Sequence, residues 1–294
     1  KSLGNGMDPA EIISQYGADL LRLWAASADY HADVRCSDAI FKQLAESYRK
    51  IRNTARIIMA NIGDFNPDTD SVELDKLHDI DKWALSRLNQ LVKSAHEAYS
   101  NYEFHIIFHA INNFCTIDMS KLYIDITKDR VYVEKPDSEA RRAAQTAMYL
   151  IISALTRIIA PILSFTGEEI WQAMPHSASD NKESVFLNDM PVFNEDYCFD
   201  GIEERYNKLF EMRDEVMKAL EEARAAKLIG KSLEAKITVT ASDGVSAEIT
   251  AAELAEEGKV VLLLDEEDGS LQLIVFGNSD SKRSVKDIDR LTVK

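Results

Sequence analysis

The 294 residues are 46% hydrophobic and 29% charged, with a formal net charge of −16. That is a soluble globular composition, which excludes an intrinsically disordered chain, and its length makes two or three domains the expectation. The longest apolar runs, Tyr149 to Ile152 and Val260 to Leu264, are far too short to cross a bilayer, so no membrane partner is expected.

Cys36, Cys115 and Cys198 are widely spaced and include no Cys-x-x-Cys pair. They encode neither a disulfide framework nor a zinc module, and they point to a reducing, cytoplasmic setting. The acidic net charge is unevenly spread. Residues 1 to 62 hold eight Lys/Arg against seven Asp/Glu, whereas 63 to 194 hold 12 against 20 and 195 to 294 hold 14 against 23. A locally basic face on an acidic protein can still bind a polyanion, while the acidic remainder suppresses wrong dockings.

Lys1-Ser2-Leu3-Gly4-Asn5 is a polar loop with an ammonium, a hydroxyl and backbone donors, chemistry suited to phosphate oxygens. Asp8 can cap a helix with Pro9 at its first position, ending near Gly17. Ala18 to Ser27 is a second helix, with Leu20, Leu21, Leu23 and Trp24 on its apolar face. Ser37 or Asp38 caps a long third one to about Asn61, in which Ile40, Leu44, Tyr48, Ile51, Ala55 and Ile58 recur at spacings of three and four. Opposite that stripe, Arg49, Arg52 and Arg56 share one side, with Lys42 and Lys50 nearby. The side is either a solvated face paired to Glu46 or to another helix, or a track for phosphates, to which the planar guanidinium fork is matched.

A turn-rich break at 62–68 and an acidic connector lead to helices expected at Trp83 to Tyr99 and Asn101 to Ile126. His105 and His109 stand four apart, but no His-Glu-x-x-His pattern accompanies them, and packing is the preferred reading; no metal site is expected. The stretch Lys121 to Arg130, followed by Tyr132, admits either an RNA-backbone contact with stacking or internal pairing of Asp118, Asp125 and Asp129 with Lys121, Lys128 and Arg130. Ser138 caps a helix to Ile159 that starts with Arg141-Arg142, and Pro161 forces a restart toward Met174, with Phe165, Ile170 and Trp171 facing the core. Pro175 to Phe199 should wrap the bundle surface.

Ile202 to Lys227 is a further helix ended by Gly230, followed by strands at Lys236 to Thr240, Val260 to Leu264 and Leu271 to Phe276, with a short helix expected within Ser246 to Gly258. Gly230-Lys231-Ser232 is not a phosphate loop, because Ala225 stands where the motif needs glycine and a helix precedes it in place of a strand. No nucleophile, base and orienter fall at a recognisable spacing. The expected fold is therefore mainly α, a helical bundle followed by a small α+β C-terminal module.

The order of these segments resembles the class I aminoacyl-tRNA synthetases. Lys1-Ser2-Leu3-Gly4-Asn5 is similar to the end of their Lys-Met-Ser-Lys-Ser loop, and Asp8-Pro9 with Gly17 to Trp24 is similar to the segment just after that loop. Tyr48 to Arg56, Leu122 to Asp125 with Lys128-Asp129-Arg130, Arg141-Arg142 with Gln145-Thr146, Ala160 to Thr166 and Ile229 to Ala235 resemble the bacterial isoleucine-type enzymes. The valine type fits less well at 51–54 and 231–234, and a non-enzymatic helical scaffold is the third reading. The likeness covers residues 1 to 240 in order; the first half of the signature loop, the nucleotide-binding Rossmann domain, the editing domain and the four-cysteine zinc module of such enzymes are not in this sequence.

The resemblance implies that 1–36 is the end of the catalytic signature loop with connecting helices, 37–200 an anticodon-binding bundle and 201–294 a long helix with the α+β module. It implies ATP and magnesium as cofactors of an intact ligase that joins isoleucine to its tRNA, with Lys1 and Ser2 as the ATP-binding remnant. No complete catalytic site and no cofactor belong to this chain alone, which is expected to be an inactive, monomeric fragment whose partners are isoleucine tRNA and the upstream domains. Arg49, Arg52, Arg56, Arg130, Arg141 and Arg142 become candidates for tRNA contact, with Lys227 and Lys231 as further candidates.

Overall fold

Asp8 Oδ1 accepts from the amide of Ala10 at 2.9 Å and Pro9 takes the first helical position, so α1 (Pro9–Tyr16) begins where the local chemistry dictates. Gly17, at φ +88°, turns the chain into α2 (Ala18–Ser27), and a left-handed backbone is strained for any other residue. The computed structural model describes residues 7–228, residue 230 and the strand residues 237–241, 246–249, 260–264, 271–275, 283–285 and 288–293. The chain divides into two compact units, Lys1–Phe199 and Asp200–Lys294.

The first unit is helical. Ser37 caps α3 (Asp38–Asn61), whose side chains Phe41, Leu44, Ile51, Ala55 and Ile58 are buried. After the 62–78 connector comes α4 (Asp79–Ser100), then α5 (Phe104–Asn113), a π-helical stretch (Phe114–Tyr123) and α6 (Ile124–Val133). Ser138 Oγ caps α7 (Glu139–Ile159), and α8 (Ser164–Ala173) follows the break at Pro161. α7 is the centre: Ala143, Ala147, Met148, Ile151, Ile152, Leu155, Ile158 and Ile159 are fully buried, with α3, α4, α6 and α8 packed around them.

Two expectations for the first unit need correction. The helix expected at Asn101 to Ile126 runs on to Val133, and its middle is π-helical, a wider winding that a 3.6-residue period cannot register. Phe165, expected in the core, is 69% exposed, because the buried face of α8 runs through Thr166, Gly167, Ile170 and Trp171 and leaves Phe165 on the other side.

The break between α7 and α8 frees carbonyls at one helix end and amides at the other. Both are taken by α2. Arg22 donates from Nε to Ile162 O at 2.8 Å and from Nη2 to Pro161 O at 2.7 Å, while buried Asp19 accepts from Thr166 N at 2.7 Å, Thr166 Oγ1 at 2.6 Å and Phe165 N at 3.2 Å. A cation at a helix C-terminus and a carboxylate at an N-terminus also match the macrodipoles. Close packing here makes Gly167 sensitive: a Cβ would stand 3.0 Å from Ala160 Cα and 3.1 Å from its Cβ. Gly167→Ala should therefore destabilise the first unit by about 1–3 kcal/mol despite alanine's better helix propensity; an unchanged melting curve in circular dichroism would show that α8 yields freely.

Residues 175–199 lie on the bundle. Trp171 Nε1 donates to Asn181 O at 3.0 Å, and Asn89 exchanges bonds of 2.8 and 2.9 Å with the backbone of Asn194. In the second unit, α9 (Ile202–Ala225) carries a buried stripe of Ile202, Tyr206, Leu209, Val216, Leu220 and Ala223 and packs on β3 and β6. Strands β1 (Ile237–Ala241), β2 (Ser246–Ile249) and β6 (Ile288–Val293) form one antiparallel sheet in the order β2-β1-β6; β3 (Val260–Leu264), β4 (Leu271–Val275) and β5 (Arg283–Val285) form another in the order β3-β4-β5. Ser246–Ile249, expected to open a helix, pairs instead with β1, Ser246 opposite Thr240 and Ile249 opposite Ile237. Residues 250–258 lie outside the described ones.

Candidate nucleic-acid interface

The apolar stripe of α3 faces α7 and the π-helical stretch, which turns Arg49, Arg52 and Arg56 outward. Arg49 pairs with Glu46 one turn back. Arg52 Nη2 lies 3.7 Å from Glu169 Oε1 on α8, too far for a hydrogen bond. Arg56 is exposed and has no ion-pair partner among the described residues. Exposed pairs of this kind are worth about 0–1 kcal/mol, so all three guanidinium groups can turn to an arriving phosphate at small cost.

The other arginines are held internally. Arg130 donates from Nη1 to Asp81 Oδ2 at 2.8 Å and from Nη2 to Asp81 Oδ1 at 2.7 Å, and Asp81 is fully buried. Tyr123 adds its hydroxyl to Asp81 at 2.8 Å, and burial first, then the adjacent carboxylate, pushes that phenol well above its usual range. Arg141 makes a bidentate pair with Asp64 at 2.6 and 3.0 Å, and Arg142 lies 3.4 Å from Asp70. Gln145 completes the set, donating to Asn61 O and Asp64 Oδ1, both at 2.8 Å. These bonds tie the α3–α4 connector onto α7.

Asp64 gives a pH prediction. The hydrogen bond from Arg141 holds its carboxyl below the usual carboxylate range. A lowered folded pKa contributes stability above the unfolded value, and that stability is lost as pH falls through the folded one. The first unit should therefore lose melting temperature below about pH 4, and Asp64→Asn should flatten that acid limb while lowering stability at neutral pH. An acid limb as steep in the variant as in the parent would show that Asp64 does not set it.

Of the remaining candidates, Lys227 is exposed just past α9 with φ +56°, and Tyr132 is 67% exposed at the end of α6. Lys1, Ser2 and Lys231 lie outside the described residues. His105 and His109 belong to no group of three or more metal-ligating side chains among the described residues. Cys115 is buried under α3, and burial pushes its thiol up to about 12, which leaves it inert as a nucleophile.

One feature of this surface is not legible in the sequence. A shallow cleft of about 370 Å³ is lined by Ser164, Phe165, Glu168, Glu169 and Gln172 of α8 and by Ser184 and Phe186 of the 184–186 turn, and Glu169 brings it beside Arg52 of α3. The pattern alone places Phe165 inward, and no periodicity marks a single aromatic residue in a turn.

Comparison with known proteins gives a consistent result. Residues 81–239 match the family described as "Anticodon-binding domain of tRNA ligase", and residues 1–37 match "tRNA synthetases class I (I, L, M and V)". Among curated relatives, the isoleucine–tRNA ligase of Caldanaerobacter subterraneus subsp. tengcongensis is 53% identical over 239 residues, 81% of this chain and 26% of the relative. That of Caldicellulosiruptor saccharolyticus is 49% identical over 271 residues, 92% of this chain and 29% of the relative. The chain thus spans a little over a quarter of the length of these relatives. In the solved structure titled "Crystal structure of the ternary complex of Agrobacterium radiobacter K84 agnB2 LeuRS-tRNA-LeuAMS", a similar fold covers 68% of this chain and 22% of that one, with a TM-score of 0.51 and 16% identity.

Proposed function

The chain belongs to the family of anticodon-binding domains of tRNA ligases, and from that premise we propose that it is the tRNA-binding segment of an isoleucine–tRNA ligase, holding the anticodon stem and loop. The observation that carries the reading is the outer face of α3, where Arg49, Arg52 and Arg56 follow one another at helical spacing without a buried partner. Three guanidinium groups along one side of a straight element suit a run of phosphates. Phosphate contacts give affinity and register, and base contacts must add the choice of tRNA.

Within this proposal Arg130, Arg141 and Arg142 hold the bundle in shape through Asp81, Asp64 and Asp70, and each is also a candidate for RNA contact. Lys227 and Lys231 are proposed as peripheral contacts. Residues 1–36 are proposed as the end of the catalytic signature loop with its connecting helices, 37–200 as the anticodon-binding bundle, and 201–294 as an α+β module. The intact ligase is proposed to be a cytoplasmic monomer that uses ATP and magnesium to join isoleucine to its tRNA, in company with upstream Rossmann and editing domains. ATP would supply the adenylyl group that activates the isoleucine carboxylate there, with pyrophosphate as the leaving group; Lys1 and Ser2, the residues assigned to it, lie outside the described ones.

Gel-shift titration of this chain against isoleucine and valine tRNA transcripts at several salt concentrations tests the reading. Preference for the isoleucine transcript, with log affinity falling linearly with log salt, is the expected result. Equal and salt-independent affinity would leave only a helical scaffold.

A further inference from the structure

We propose that the cleft between α8 and the 184–186 turn receives one unstacked nucleobase of the bound RNA, stacked on Phe165 and Phe186, with Glu169 accepting a hydrogen bond from the base edge. The inference rests on the tRNA-binding reading and assigns to it the base contact that a phosphate track lacks.

Three observations carry it. First, two phenylalanine rings line one cleft at 69% and 56% exposure. Sequence-tolerant binding of single strands needs such platforms, because every base has a π-face.

Second, the backbones beneath the rings are fixed. Phe165 N donates to Asp19 at 3.2 Å. The turn that carries Phe186 is pinned by Glu168, whose Oε2 accepts from Ser184 Oγ at 2.8 Å and Val185 N at 3.1 Å, and by Gln172, which donates to Lys182 O and Glu183 O at 3.2 and 3.0 Å. With the backbones fixed before binding, only the side-chain torsions of the two rings remain to be ordered when a base arrives.

Third, the polar groups are divided. Glu168 is fully engaged, since its Oε1 accepts from Gln172 at 2.9 Å, whereas Glu169 has no hydrogen bond among the described residues. Its Oε1 is 3.7 Å from Arg52, a member of the α3 ridge. Each RNA base carries at least one edge N–H that a carboxylate can accept. A strand whose phosphates track along Arg49, Arg52 and Arg56 therefore passes the mouth of the cleft, and the cationic ridge offsets the charge of Glu169.

Binding of the isoleucine tRNA transcript, with affinity and salt slope both measured, tests the proposal. Phe165→Ala and Phe186→Ala should each weaken binding roughly 5- to 100-fold with the slope unchanged, since a stacked base adds affinity without releasing counterions. Phe165→Leu should not restore it, and Phe165→Trp should. Glu169→Ala supplies a sign test. Loss of a base contact weakens binding, whereas loss of a mere repulsive charge beside Arg52 tightens it.

Wild-type affinity in both Phe→Ala variants, while Arg52→Ala and Arg56→Ala lower the slope, would overturn the cleft assignment and leave the tRNA-binding reading standing. Wild-type affinity of Phe165→Leu would likewise overturn it in favour of a plain apolar docking face. Absence of any salt-dependent tRNA binding by the parent chain would sink both.

Discussion

Replacing Asp81 by Ala should lower the stability of the helical unit by about 3–5 kcal/mol, the cost of stripping one partner from a buried ion pair. Asp81 is fully buried in the first turn of α4, where it accepts both arms of Arg130 and the hydroxyl of Tyr123. Its loss leaves a guanidinium whose side chain is 13% exposed without its buried counter-charge. Tyr123 is less affected, because its hydroxyl also reaches Ala144 O at 3.3 Å. For a unit of this size the melting temperature should fall by roughly 6–20 °C, read from the helical signal in circular dichroism. The double variant Asp81→Leu with Arg130→Met should recover most of that, since two apolar groups leave no charge unpaired. A fall of only a degree or two in the single variant would mean that water reaches Arg130 and that the pair contributes little.

Changing Arg49, Arg52 and Arg56 together to Ala should leave folding unaltered and cut tRNA binding. The three are exposed, and their carboxylate neighbours Glu46 and Glu169 are exposed too, so little stability is at stake. Removing a guanidinium that neutralises a phosphate should reduce the magnitude of the salt slope by about 0.7–0.9, hence by about two units or more for the triple variant if all three do so. Charge-assisted bonds are worth about 1.5–3 kcal/mol each, so affinity at low salt should drop on the order of a thousandfold or more if all three are made. Arg141→Ala makes the contrasting variant, since it should lose melting temperature through Asp64 with a smaller change in slope. A triple variant with the parent's slope would return the α3 face to a structural role.

The features legible in the sequence are local. Asp8, Ser37 and Ser138 each cap an amide two or three residues ahead, and the stripe through Leu44, Ile51, Ala55 and Ile58 needs only the helical period. The pairing of the α3 arginines with Glu46 or another helix is legible too, since Glu46 is one turn from Arg49. Partners at long range are not. Asp64 lies 77 residues from Arg141, Asp81 lies 49 from Arg130, and nothing in the order of charges says which will meet. Side-chain direction at an element's edge is equally hidden. Phe165 fits the apolar pattern of α8 yet sits in a first turn whose amides are capped by another helix, which leaves its ring outside. The outer face of α3 can thus be named from sequence, while the cleft beside it cannot.

The hold of α2 on the α7–α8 break also sets a timetable. Asp19 and Thr166 are separated by 147 residues, and at ribosomal rates of about 5–20 residues per second the second emerges roughly 7–30 s after the first. Through that interval α2 has neither the amides nor the carbonyls that later receive its two charged side chains, and its buried residues Leu20 and Leu23 lack part of their final surroundings. The nascent α2 must therefore wait, exposed to chaperones and to premature association, until the last helices of the bundle leave the exit tunnel.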